Sequence, residues 1–270
     1  MKNMSLIDFK EIPPANSSDG AQDTFELFAR DFFWHLGYEI DENPSRGADD
    51  GKDLILIEPL SGIFSTTKRR WLVSCKHLAH SGKSVSGKYE IDILGRVKVH
   101  KCDGFIAFYS TLPASGLANV ISKIKDDIAI QIFDSAKIEH FLVSEQRLRF
   151  VLQRYFPNSH KSITQNYTWE KLFTTILILA QNDGTVHERL VDAYTSSLMR
   201  LDPDDLPKGL QKEFAELQDK FTSVETTYQG EGRIHASIMS MSKIEANRVV
   251  EQIISIYDRY RVNLIDDLRR

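Results

Sequence analysis

Apolar residues recur at two spacings along this chain, and the change from one to the other divides it. Phe25, Phe28, Ala29, Phe32 and Leu36 fall three or four apart and stop at Gly37, so the pattern predicts a helix over residues 23 to 37. Short apolar runs follow: DLILIEP at 53 to 59, RWLVSCKH at 70 to 77, GFIAFYS at 104 to 110 and IAIQIFD at 128 to 134. Their length and their β-branched and aromatic content predict strands. Helices are predicted at about 90 to 100, near 115 to 126, and through SAKIEHFLVSEQRLRFVLQRYF after the last strand. The resulting order, α-β-β-α-β-α-β with a closing helix, predicts an α/β core that ends near Phe156.

Beyond that point only the helical spacing remains. PNSHKSITQNY, 157 to 167, is polar and aperiodic and reads as a linker. Helices are predicted at about 168 to 182, 185 to 201, 205 to 224 and 242 to 266, with TYQGEGRIH as a connecting loop. In the last helix Ile244, Val249, Ile253, Ile256, Tyr257 and Tyr260 lie close to one stripe. Residues 1 to 22, rich in Pro, Asn and Ser, read as a flexible arm. The expected organisation is therefore an arm to residue 22, an α/β domain over 23 to 156, a linker, and an all-α domain over 168 to 270.

Composition narrows the setting. At 41% hydrophobic residues the chain can fill a core. No run approaches a membrane span of roughly 18 apolar residues, and the start MKNMSLIDFKEIPP has no apolar leader segment. Cys75 and Cys102 are the only cysteines, which suits a reducing compartment, so a cytoplasmic protein without a membrane is expected. The net charge of −4 does not point to nucleic acid, but its distribution does. Residues 68 to 101 carry nine Lys or Arg against Glu90 and Asp92, whereas 161 to 270 carry 14 basic and 17 acidic residues. A basic patch beside carboxylates suits a polyanion with a cation; a solvated flexible loop, as in AHSGKSVSGK, is the plainer alternative. In the last part, apolar stripes with an acidic balance suggest a homo-oligomer or docking to a partner protein.

GADDGKDLILIEP, 47 to 59, gathers three aspartates and a lysine at the mouth of a strand. It reads either as a polar turn feeding an edge strand or as part of a metal site. Asp53 opens one strand, and Lys76 closes the apolar run of the next. If the two strands pair as a hairpin, both side chains can reach one face near one end. A carboxylate there can hold a divalent cation such as Mg²⁺, and an ammonium can stabilise charge on a phosphate. A lysine among buried residues needs such a partner.

Glu26 in the first helix, DDGKDL at a strand start and VSCK in the next strand resemble the PD-(D/E)xK nuclease superfamily, above all its Mrr-like restriction endonuclease branch. The resemblance runs over about residues 23 to 143 and includes DGFIAFYST and IQIFDSAKIEHFL. It implies a restriction-endonuclease-like core with a mixed sheet and metal-dependent hydrolysis of DNA phosphodiesters with Mg²⁺ or Mn²⁺. Asp53 then corresponds to the central metal ligand, Lys76 to the catalytic lysine, and Glu26 to the helix acid that supports the metal. The backbone carbonyl of Cys75 would face the metal.

Ser74 departs from the pattern, because the family carries Glu there, or Gln in the Mrr-like branch. Glu90, at the predicted start of the following helix with Asp92, is the candidate for a relocated acid and so for a further metal ligand. Glu26 also fits an N-terminal cap with Asp23 or a pair with Arg30. Arg69, Arg70, Lys83, Lys88 and Lys98 are candidates to hold the nucleic-acid backbone. The resemblance, together with the helical appendage, implies a prokaryotic defence effector. The competing reading is a degenerate fold that serves as a non-catalytic nucleic-acid-binding or scaffolding subunit.

Overall fold

The apolar runs find their partners in sequence order. In the computed structural model, which describes residues 5–14, 23–44, 52–61, 66–225 and 232–268, five strands form one sheet. They are β1 (Glu39–Glu42), β2 (Leu54–Ser61), β3 (Thr66–Lys76), β4 (Gly104–Tyr109) and β5 (Ala129–Phe133). β1 to β3 pair antiparallel, whereas β3 with β4 and β4 with β5 pair parallel, so the sheet is mixed and the fold α/β. Each parallel step crosses through a helix, first α2 (Ile93–Val99) and then α3 (Ser115–Ile124), as parallel neighbours require.

β4 is buried at every position because both faces of the sheet are covered. On one face, Leu72, Phe105, Ala107 and Tyr109 pack with Ile93 and Val97 of α2 and Leu117 and Ile121 of α3. On the other, α1 (Thr24–Leu36) lays Phe25, Phe28, Phe32 and Phe33 against Phe108. Asp23 caps α1 through the Phe25 N–H, and Gly37 ends it at φ 100°, a left-handed conformation that glycine adopts without strain. Gly104 answers a different demand. A Cβ there would lie 2.6 Å from the Trp71 ring and 2.7 Å from the Ala129 carbonyl.

Four differences from the sequence pattern concern the first unit and its end; in the second, RIH of the expected loop TYQGEGRIH opens a further helix, and residues 227 to 231 of that loop lie outside the described residues. β1 is an additional edge strand, so the described order begins α-β-β-β. The segment 157 to 167, expected as a linker, is helical: α6 runs Pro157–Gln181 after α4 (Ser135–Ser144) and α5 (Arg149–Tyr155). Glu11 supplies its start, its carboxylate accepting from Asn158 N–H at 2.7 Å and Ser159 N–H at 2.8 Å. The chain divides into compact units at residue 160, inside this helix's first turn. Within the expected arm, residues 5–14 are ordered against the first unit, burying Ile7, Phe9 and Ile12, with Phe9 edge-on to Phe156. The helix expected from residue 90 begins at Ile93, after Asp92 has capped it from a left-handed conformation at φ 48°.

The second unit contains α7 (Val186–Ser196), α8 (Lys208–Phe221), α9 (Arg233–Met239) and α10 (Lys243–Leu268). Its described elements are all helical. They share a core that includes Leu172, Leu190, Leu210, Phe214, Phe221 and Ile253. Val249, Ile253, Ile256 and Tyr260 of the α10 stripe are buried in that core, and only Ile244 of the stripe is well exposed. The pattern read as a docking face is thus largely covered by the unit's own helices. No described helix is long and apolar enough to cross a membrane.

Candidate active site

β2 and β3 bring the predicted aspartate and lysine together. Leu54 pairs with Val73, and the Asp53 N–H donates to the Val73 carbonyl at 3.1 Å. One further step of that antiparallel register sets Asp53 across from Ser74, on the face that carries Lys76. Asp53 Oδ2 accepts from the Cys75 N–H at 2.5 Å and from Lys76 Nζ at 3.3 Å. Lys76 Nζ also donates to the Cys75 carbonyl at 2.9 Å. The two side chains are 13% and 22% exposed, so the pair is shielded but reachable. Burial pulls the Lys76 ammonium toward deprotonation, but the Asp53 and Glu90 carboxylates outweigh it and hold its pKa above the usual lysine value. Lys76 is therefore a fixed cation.

Glu90 sits on the same face of the sheet. Its carboxylate is 0% exposed, forms an ion pair with Arg96 of α2, and accepts from the Tyr109 hydroxyl at 3.0 Å. Tyr109 lies directly beside Lys76 in the β3–β4 register. Burial, and then the Glu90 charge, push the Tyr109 phenol far above its ordinary range. Glu90 does not open the helix as expected but precedes α2, and both of its oxygens already meet side chains. The same face contains an unsatisfied group. Ser74 is fully buried, and its Oγ has no hydrogen-bond partner among the described residues.

Glu26 is half-buried in the first turn of α1. Its charge reaches the Cys75 thiol, which burial first, then Asp53 and Glu26, push well above the usual range. Cys75 pairs with Phe108, so its side chain belongs to the α1 face, and only its backbone faces Asp53 and Lys76. Arg30 bonds its neighbour Asp31 at 2.7 Å. His77 stacks on Phe25 with centroids 4.8 Å apart, and its Nε2 meets the Ile12 carbonyl at 2.9 Å. His80 Nε2 meets the same carbonyl at 2.7 Å. These two contacts are the structural role of the histidines, and sequence spacing alone gave no sign of their shared acceptor.

Oxygens near Asp53 among the described residues include its own carboxylate, the Cys75 carbonyl that shares Lys76 Nζ with it and, by register, the orphaned Ser74 hydroxyl. That set suits a hard cation whose remaining positions are filled by water and phosphate. No group of three or more His, Cys, Asp or Glu arranged for a metal occurs among the described residues. Asp49 and Asp50 lie outside them.

The basic candidates divide by position. Arg70 is six residues before Lys76, about 20 Å along the strand. There it bonds Asp41 at 2.8 Å, Glu42 at 2.9 Å and the His100 carbonyl. Arg69 lies over the Trp71 ring at 5.5 Å and lines an open polar hollow with Lys68, Lys125 and Asp126. Lys98 is exposed in the last turn of α2, next to the end that Arg70 holds. Lys83 and Lys88 alone belong to the connection that leaves Lys76 and returns at Glu90, and both are exposed.

No protein-family model and no curated protein matches the chain. Two solved structures resemble it. One is the DNA modification-dependent restriction endonuclease AspBHI, at 15% identity and a TM-score of 0.41, covering 58% of this chain and 39% of that one. The other is the MspJI restriction endonuclease in complex with a 27-mer oligonucleotide, at 19% identity and a TM-score of 0.33, covering 48% of this chain and 32% of that one. The chain thus spans well under half of either, and likeness of that degree does not extend to activity.

Proposed function

We propose that the first unit is a Mg²⁺- or Mn²⁺-dependent nuclease of the PD-(D/E)xK type, in its Mrr-like branch, that hydrolyses phosphodiester bonds of DNA. The observation that carries this reading is the convergence of Asp53 and Lys76 at one end of a mixed sheet, joined through Asp53 Oδ2. Asp53, with the Cys75 carbonyl, would hold the cation, and Glu26 would support it from the first helix. When bound, such a cation draws negative charge from the phosphate and from its attacking water. Lys76 contributes a second positive charge, fixed in direction by its bonds to Asp53 and the Cys75 carbonyl, where charge accumulates on the phosphate during in-line displacement. The surrounding burial strengthens that interaction. We further propose that the whole chain serves prokaryotic restriction or anti-phage defence in the cytoplasm, with the helical unit, whose exposed apolar residues include Met199 and Ile244, serving self-association or a partner subunit.

The test is cleavage of supercoiled plasmid with Mg²⁺ or Mn²⁺, with and without EDTA, by wild type, Asp53→Asn and Lys76→Ala. Nicking by wild type alone, abolished by EDTA, supports the reading. A specific observation favours one competitor, the non-catalytic nucleic-acid-binding subunit. Ser74 stands where the family carries an acid or amide, and its hydroxyl is unpartnered. DNA binding without cation binding, measured by titration calorimetry with Mn²⁺, would establish that competitor.

A further inference from the structure

The connection from β3 to α2 is held down at three points, and two free lysines stand between them. At its start, the Ser110 Oγ accepts from Leu78 N–H at 2.9 Å and Ala79 N–H at 3.1 Å. In the middle, fully buried Val85 bridges to the segment after β4: its N–H donates to the Leu112 carbonyl at 3.0 Å, and its carbonyl accepts from Ala114 N–H at 2.7 Å. Thr111 Oγ1 adds a bond to the Lys83 carbonyl at 3.0 Å. At its end, Glu90 is locked by Tyr109 and Arg96. Glycine and serine content made this segment look flexible; its hydrogen bonds make it a fixed ledge.

Lys83 lies two residues before the central anchor and Lys88 three after it. Both are exposed, and neither has an ion pair among the described residues, although Lys88 lies over the Tyr89 ring at 4.8 Å. The other basic candidates are either engaged with acids or at the far end of the sheet. We propose that the ledge from Leu78 to Glu90 is the surface that grips the nucleic-acid backbone, with Lys83 and Lys88 contacting phosphates and with Glu90 and Tyr109 as positioning residues that keep the ledge in place. Its location at a phosphodiester-cleaving site rests on the reading above. Because the backbone that carries the two lysines is already held, only their side chains lose freedom when they meet phosphate, so the pinning lowers the cost of binding.

The experiment is binding of a short DNA duplex followed by fluorescence anisotropy in EDTA across a range of salt concentrations. Each lysine that contacts a phosphate contributes about 0.9 to the slope of log K against log salt. Lys83→Ala and Lys88→Ala should each lower the slope by about that amount and weaken binding about five- to tenfold near 0.1 M salt, with the double variant losing about twice the slope. Tyr109→Phe keeps the buried ring and removes only the hydroxyl. It should weaken binding several-fold with the slope unchanged, because the phosphate contacts remain but the ledge must be ordered on binding. A wild-type slope in the double variant, or no salt-dependent binding by wild type, overturns the proposal; wild-type affinity in Tyr109→Phe overturns the positioning role. The expected slopes in a protein that cuts nothing with Mg²⁺ or Mn²⁺ would sustain the ledge and remove the nuclease reading. Cleavage with unchanged slopes would do the opposite.

Discussion

β3 carries two charged clusters built on opposite principles, one around Arg70 and one at its Lys76 end. Around Arg70, one guanidinium meets Asp41, Glu42 and a backbone carbonyl, and Glu42 also takes Lys52. Within that cluster acids and bases answer one another, the acids coming from an edge strand. At the Lys76 end, one aspartate oxygen serves both a backbone N–H and the ammonium, the nearby serine hydroxyl is orphaned, and the adjoining ledge has lysines without acids. A saturated cluster is architecture, whereas an under-satisfied one is prepared for a ligand.

Substitution can break that contrast, most severely at the Lys76 end. Asp53→Asn preserves shape and removes the charge; single-turnover plasmid cleavage per folded molecule should fall by about 1000-fold or more, the scale of losing a main transition-state electrostatic contact. Arg70→Met should do the reverse. It leaves Asp41 and Glu42 facing each other without their shared cation, and urea unfolding should show a loss of about 1 to 2 kcal/mol while cleavage per folded molecule stays at wild type.

Smaller effects sharpen the comparison. Ser74→Ala deletes a buried hydroxyl that bonds nothing, so it should be neutral or stabilising by up to about 1 kcal/mol while weakening Mn²⁺ binding in calorimetry. Stability gained together with affinity lost would mark Ser74 as kept for the ligand. The smallest effect concerns pH. Burial, outweighing the Ile12 carbonyl and Asp23 and reinforced by His80, holds the His77 pKa below 6.5. The unfolded chain therefore takes up that proton first, so stability is complete above pH 6.5 and declines as pH falls below it. Urea midpoints on either side of that value should show the decline, and His77→Gln should flatten it.

Much of this was legible in local pattern. Phenylalanine spacing with Gly37 marked α1, and four apolar runs marked four strands, because each signal lies within the element it describes. Asp53 and Lys76 were legible as a pair because a hairpin register follows from two adjacent strands. β1 was missed because EIDE has one apolar residue; its acids serve Arg70 and Lys68 across the edge instead of a core. The start of α6 was taken for a linker because the group that satisfies its first N–H donors, Glu11, lies far upstream. Its one local sign was Pro157 at the first helical position. Glu90 was singled out, but its role was not readable: the hydroxyl that binds it comes from β4, and nothing in KYEID announces a fully buried carboxylate.

The hairpin that joins Asp53 to Lys76 also differs from the ledge in when its parts are synthesised. These residues occupy consecutive antiparallel strands, a local connection that can close once β3 has left the ribosome. The ledge cannot be fixed then, because Tyr109, Ser110 and the segment paired with Val85 have not been made. Asp53 and Lys76 are thus both synthesised before the residues that pin the ledge beside them.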